Sequence, residues 1–140
     1  MKIELTRVDD AFHFTGKGSS DVLTHIDASE KVGGHNLGNR PMELLLMGLG
    51  GCASIDVVLI LQKQKQVIED YKVIVEGERE TIEGTQMSPF TKINLHFQLK
   101  GEVDPKRLER AIKLSMEKYC SATAQLSASA EITHSYEILD

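Results

Sequence analysis

Pro41-Met42-Glu43-Leu44-Leu45-Leu46-Met47-Gly48-Leu49-Gly50-Gly51-Cys52-Ala53-Ser54-Ile55-Asp56 is the stretch that decides the fold. Asn39-Arg40-Pro41 supplies a capping Asn and an early Pro, so a long helix is predicted from Pro41 to about Gln66. It is apolar around its whole circumference, and such a helix belongs in the middle of a core. Each glycine inside a helix costs roughly 1 kcal/mol against alanine. Gly48, Gly50 and Gly51 therefore point to close approach, either of a neighbouring backbone or of a ligand needing space beside the Cys52 thiol. Residues 44–60 approach the length of a membrane span, but Asp56 and three glycines interrupt them and Gln62-Lys63-Gln64-Lys65 closes them, so a soluble core helix is expected.

Before this helix, residues 1–8, 12–15 and 22–26 read as strands of a small meander, broken at Asp9-Asp10 and at Gly16-Lys17-Gly18-Ser19-Ser20. Residues 27–40, with Gly33, Gly34 and Gly38, form a loop. After it, 71–77 and 93–99 alternate apolar and polar residues around turn signals at Glu83-Gly84-Thr85 and Ser88-Pro89, which predicts a hairpin. Asp104-Pro105 opens a second helix with an apolar stripe of Leu108, Ala111, Ile112, Ser115 and Tyr119. The small residues of 120–129 suggest a short packed helix, and 132–139 a final strand. The class is α+β, in the order β-β-β-α-β-β-α-α-β, and the whole chain, 1–140, reads as a single domain.

With 16 basic against 21 acidic residues the net charge is -5, and no basic stripe interleaves with aromatic residues. Nucleic acid is not an expected partner. Gly48-Leu49-Gly50-Gly51 lies within a helix, with no Lys-Ser or Lys-Thr after it, so no nucleotide fingerprint is present. The five histidines show no HxxxH, CxxC or CxxH spacing, which leaves no metal site to expect. His13 and His25 sit in strands, and His96 and His134 face away from the apolar residues beside them. His35, in the glycine-rich loop, is the one histidine with a place near Cys52 in sequence. Two cysteines with no signal segment suit the cytoplasm, where thiols stay reduced.

Buried free cysteine often behaves as a small apolar residue. Cys120, however, falls where one helix ends and another begins, a setting that favours thiolate. Three motifs, Pro41-Met42-Glu43-Leu44, Gly50-Gly51-Cys52 and Glu117-Lys118-Tyr119-Cys120-Ser121, resemble the OsmC/Ohr superfamily of thiol peroxidases over nearly the whole chain. Ile55-Asp56-Val57-Val58, Ile93-Asn94-Leu95-His96-Phe97 and Ile132-Thr133-His134-Ser135-Tyr136 are similar to its YhfA-like branch.

The resemblance implies an OsmC-like fold, in which antiparallel sheets wrap the apolar helix of an intertwined homodimer. It also implies reduction of hydroperoxides without cofactor or metal: Cys52 as the peroxidatic thiolate, Cys120 as the resolving thiol, and a dithiol as the reductant. In well-characterised branches an arginine from the N-terminal strands and a glutamate directly after the helix-opening proline position thiolate and peroxide. Here Met42 follows Pro41. Glu43 comes one residue later and nine before Cys52, about 180° around an ideal helix and roughly 13 Å along it. Arg40 or Arg7 is then the expected thiolate partner. Asp56, one turn after Cys52, would raise the thiol pKa if ionised; it is expected to bond a neighbouring strand or the partner subunit, with proton transfer near the thiol as its other role. The alternative function is a dimer that senses oxidants or binds a small apolar or electrophilic ligand, and inert cysteines around a pocket for an apolar metabolite make a third.

Overall fold

A computed structural model describes all 140 residues, which form two compact units, Met1–Leu45 and Leu46–Asp140. In the first, β1 (Glu4–Arg7), β2 (Phe14–Lys17) and β3 (Thr24–Ile26) make the expected antiparallel meander, with Arg7 opposite Phe14 and Thr15 opposite His25. β1 and β3 are shorter than their sequence signals, and β2 lies two residues further along than expected, through Gly16 and Lys17, because polar side chains capture the flanking backbone. Asp9 Oδ1 accepts the N–H groups of Ala11 and His13 at 2.9 and 3.1 Å and turns the chain out of β1.

The loop after β3 is closed around Asp27, which is only 1% exposed. Its carboxylate accepts N–H groups from Ala28, His35 and Leu37 at 2.7, 3.2 and 3.1 Å. Burial opposes the charge, but these donors outweigh it and hold the carboxyl below its usual range.

Helix α1 (Pro41–Lys63) starts here. Its capping residue is Arg40 and not the expected Asn39: the Arg40 carbonyl accepts from Leu44 N–H at 3.1 Å, while Glu43 Oε1 takes the Arg40 N–H at 2.8 Å. The backbone of Asn39 is already committed to His25 and Asp27, which leaves the cap to its neighbour. The far end closes on Lys65 in the left-handed region, φ 58°, with Gln66 N–H bonded to Leu61 O and Lys65 N–H to Gln62 O. This paired pattern satisfies the last carbonyls and stops the helix three residues earlier than expected.

In the second unit β4 (Val67–Arg79) pairs antiparallel with β5 (Phe90–Glu102), and β6 (Glu131–Leu139) joins β5 in parallel. The sheet is therefore mixed, because α2 (Pro105–Leu114) and α3 (Ser121–Leu126) carry the chain across before β6 returns. Asp104 caps α2, accepting from Lys106 N–H at 2.8 Å, with Pro105 at the first helical position. Between α2 and α3 lies a π-helical turn, Ser115–Tyr119. That turn adds residues relative to an α-helical repeat, so the expected apolar stripe slips: Leu108, Ala111, Ile112 and Ser115 are buried, whereas Tyr119 is 59% exposed.

The core forms where the buried face of α1 (Leu49, Gly50, Ala53, Val57, Leu61) meets the alternating residues Ile93, Leu95, Phe97 and Leu99 of β5 and the apolar side of α2. Tyr71 of β4 ties helix to sheet. Its hydroxyl donates to Ser54 at 3.0 Å, its ring meets Phe97 edge-on, and burial pushes its pKa to about 12.

Of the glycines in α1, Gly50 is the one that packing requires. A Cβ there would stand 2.9 Å from Cγ2 of Val75, whereas at Gly48 and Gly51 it would meet nothing within 4 Å. Val75 is β-branched and stiff in a strand, so it cannot swing aside cheaply. Gly50→Ala is accordingly expected to lose on the order of 1–3 kcal/mol to overpacking, more than the roughly 1 kcal/mol of helix propensity it gains. Urea unfolding checks this, and Val75→Ala in the same chain should recover part of the loss. A Gly50→Ala protein as stable as the parent would show that the glycine is not needed for the packing.

Candidate active site: a thiol pair in the second unit

Cys52 rides on α1 one turn before Asp56, between the buried face and the outward one, and its side chain is half-buried. Cys120 arrives from the opposite direction. It ends the π turn, with its N–H bonded to Ser115 O at 2.8 Å, and caps α3, its sulfur accepting from Thr123 N–H at 3.3 Å. The short helix itself is what the small residues of 120–129 suggested. Two residues far apart in sequence thus bring their thiols together: Cys52 acts directly on the Cys120 side chain.

The electrostatics of Cys120 differ from the expectation. A helix N-terminus favours thiolate, and Thr123 does pull in that direction. Burial pushes harder the other way, the residue being 4% exposed, and the adjacent Cys52 adds to it, so the Cys120 pKa is raised. Six residues of helix cannot outweigh the loss of water. Cys120 therefore stays protonated through neutral pH.

Within the chain the partner of Asp56 is not the expected strand but the head of the π turn. Its Oδ2 accepts the Ser115 hydroxyl at 2.9 Å, and the same hydroxyl lies 3.4 Å from Ala53 O. Ser115 is fully buried at the head of the π turn. In the sequence it reads as one small member of an apolar stripe, and the only hint of a polar role is Asp56 in an otherwise apolar helix.

Arg40 and Glu43 are brought together in the first unit. Glu43 holds the Arg40 N–H, while the Arg40 guanidinium donates to Asn36 Oδ1 at 2.7 Å and to Gly38 O at 3.1 Å, with Asp27 O at 3.5 Å. Arg7 donates through Nε to Ala11 O at 2.9 Å. His35 lies 3.6 Å from Asp9 Oδ2, and the His13 and His25 rings meet at 2.9 Å. His96 lies on the face of β5 away from the core, as expected, bonded to Ser135 at 2.8 Å and Glu137 at 3.1 Å. Asp56, one turn after Cys52, lines a hollow of about 550 Å³ with Leu59, Ile60, Lys63, Gln64, Leu114 and Tyr119.

The family model described as OsmC-like protein matches residues 34–135, a span that holds both cysteines. The chain belongs to the OsmC-like family. It is similar to the protein YhfA of Escherichia coli K12, 46% identical over 100 residues that cover 71% of this chain and 72% of that one. An OsmC-like protein from Mycoplasma pneumoniae superposes with a TM-score of 0.81 at 20% identity, over 99% of this chain and 96% of that one. An organic hydroperoxide resistance protein from Legionella pneumophila gives 0.72 at 14% identity, over 98% and 97%. These two likenesses establish the shared α+β fold.

The raised pKa of Cys120 has a direct consequence for thiol chemistry. Only thiolate is alkylated, so iodoacetamide should label Cys52 ahead of Cys120 at pH 7–8, and Cys120 labelling should climb only as pH passes the ordinary thiol range of roughly 8.5–9. Peptide mapping of a pH series checks it; equal labelling of both thiols at neutral pH would contradict burial as the dominant effect.

Proposed function

We propose that the protein reduces hydroperoxides through the Cys52 and Cys120 pair. The observation that carries the reading is the juxtaposition of the two thiols from separate helices, one half-buried and one buried. In the first step the Cys52 thiolate attacks the peroxide oxygen; the O–O bond breaks, the alcohol leaves with a proton, and Cys52 becomes sulfenic acid. Cys120 then bonds to the Cys52 sulfur, the S–O bond breaks, and the hydroxyl leaves as water with the Cys120 proton. A dithiol reductant reopens the disulfide by exchange. Apolar residues around the hollow beside Asp56 favour organic hydroperoxides, whose tails such a surface would accept. The family relationship and the hydroperoxide resistance named for the Legionella pneumophila protein support this chemistry. A thiol cycle fed by a dithiol belongs in the cytoplasm.

A second reading is favoured by the helix entry. Met42 stands where the resemblance expects glutamate, and the Glu43 carboxylate is already used by the Arg40 N–H. On that reading the thiols register oxidants without efficient turnover. Intact-mass spectrometry after one equivalent of organic hydroperoxide separates the two. The parent should lose two hydrogens, Cys120→Ser should stop at one added oxygen, and Cys52→Ser should remain unchanged. A parent no faster than free cysteine favours the sensor.

We further propose a homodimer. Outward on α1, Met47, Ile55 and Leu59 are 50, 71 and 48% exposed, flanked by Gly48 and Gly51, so a broad apolar face lacks a cover in one chain. Such a face on a core helix is a docking surface for a second copy, as is common in this family. Light scattering should give twice 15.5 kDa. Ile55→Asp should weaken association; a stable parent monomer at micromolar concentration would refute the dimer.

A further inference from the structure

A buried serine in a helix usually returns its hydroxyl to the carbonyl four residues back, which satisfies it locally. Ser115 does not. Its N–H closes the end of α2 on Ala111 and Ile112, its carbonyl accepts the Cys120 N–H, and its hydroxyl crosses to α1, where it donates to the Asp56 carboxylate at 2.9 Å. Ser115 is thus bonded on one side to the turn that carries Cys120 and on the other to the turn of α1 that follows Cys52.

We propose that the Asp56–Ser115 hydrogen bond is a latch that positions Cys120 at Cys52, making both residues positioning residues for the disulfide-forming step of the cycle proposed above, on which this inference rests. Disulfide closure tolerates only a narrow range of Cα separation and torsion. Cys120 reaches its place through a five-residue π turn, a widened and intrinsically poorer helical geometry that needs outside support. The latch supplies that support at the first residue of the turn. A hydroxyl donating to a carboxylate is a strong bond of its type, and here the donor is fully buried, so little water competes for it. Thr123 fixes the Cys120 sulfur from the other side, through its N–H at 3.3 Å. Removing the latch by Ser115→Ala leaves the Cys52 thiol in place but frees the turn that presents Cys120.

The test separates the two chemical steps. Ser115→Ala and Asp56→Ala are compared with the parent by sulfenic-acid trapping after hydroperoxide addition, and by the disulfide–dithiol equilibrium of the pair in glutathione buffers. The second measurement requires no peroxide and so stands even if the peroxidase reading fails. The expected result for Ser115→Ala is a first oxidation rate within about twofold of the parent, and for both variants slower disulfide formation and an effective concentration of Cys120 lower by roughly tenfold or more, the scale expected when a reacting group loses its alignment. Asp56→Asn keeps an acceptor without the charge and should recover most of the effective concentration, which a mere charge effect on Cys52 would not allow. The double variant Ser115→Ala/Asp56→Ala should be no worse than either single one. An unchanged glutathione equilibrium in Asp56→Ala, a half-buried site that tolerates truncation better than Ser115, would overturn the latch. A parent that closes its disulfide in glutathione but not with hydroperoxide would overturn the peroxidase reading alone.

Discussion

The second unit depends on one packing constraint: α1 must lie close enough to β4 for Gly50 to face Val75 with no Cβ between them. Close approach of a helix to a sheet brings its neighbouring turns in with it. Ser54 then reaches Tyr71, and Ala53, Val57 and Leu61 lose all their water in the core. Cys52 lies at the edge of this buried face, where α2 and the π turn come alongside. Its chemistry therefore inherits its geometry from a contact one residue pair away, and the stability of the core and the alignment of the thiols are properties of the same interface.

Opposed effects shape the thiol pair. At Cys120, desolvation and the adjacent sulfur disfavour the charge while the Thr123 donor favours it, and the first two win. A buried, protonated second thiol suits a resolving role, since it contributes a proton to the departing hydroxyl and is shielded from oxidants in solution. Cys52, half-buried, is the more accessible sulfur of the two. On the proposed cycle, that difference in exposure would divide two identical functional groups into distinct tasks without any change of residue type.

Much of this was legible in the chain. The apolar helix, the meander, the hairpin, the Asp104-Pro105 start and the junction at Cys120 all rest on local signals, and local signals survive folding. What the sequence could not carry was anything decided by a partner distant in the chain. Asn39 has the better capping side chain, yet its backbone is used by His25 and Asp27 and Arg40 takes the position. The stripe through Tyr119 assumed a uniform helical period, which the π turn breaks. Ser115 looked like filler because its role exists only once Asp56 stands opposite. The parallel course of β6 follows from the crossover of α2 and α3, which strand alternation alone does not report.

The two polar side chains inside α1 also decide how its apolarity should be read. By length and composition the helix could cross a membrane. In a lipid environment Ser54 and Asp56 would need partners within the bilayer, at considerable cost for the carboxylate. Here each has a specific partner from another element of the same unit: Tyr71 on the sheet for Ser54, and Ser115 at the head of the π turn for Asp56. Both bonds anchor α1 to protein on the side where its buried residues lie. The apolar residues left over, Ile55 and Leu59 among them, occupy the opposite side, next to two glycines at which a Cβ would meet nothing within 4 Å. A helix fixed by polar bonds along one side and smooth and apolar along the other is shaped to meet a second protein surface, and the thiol pair lies at the border between the two.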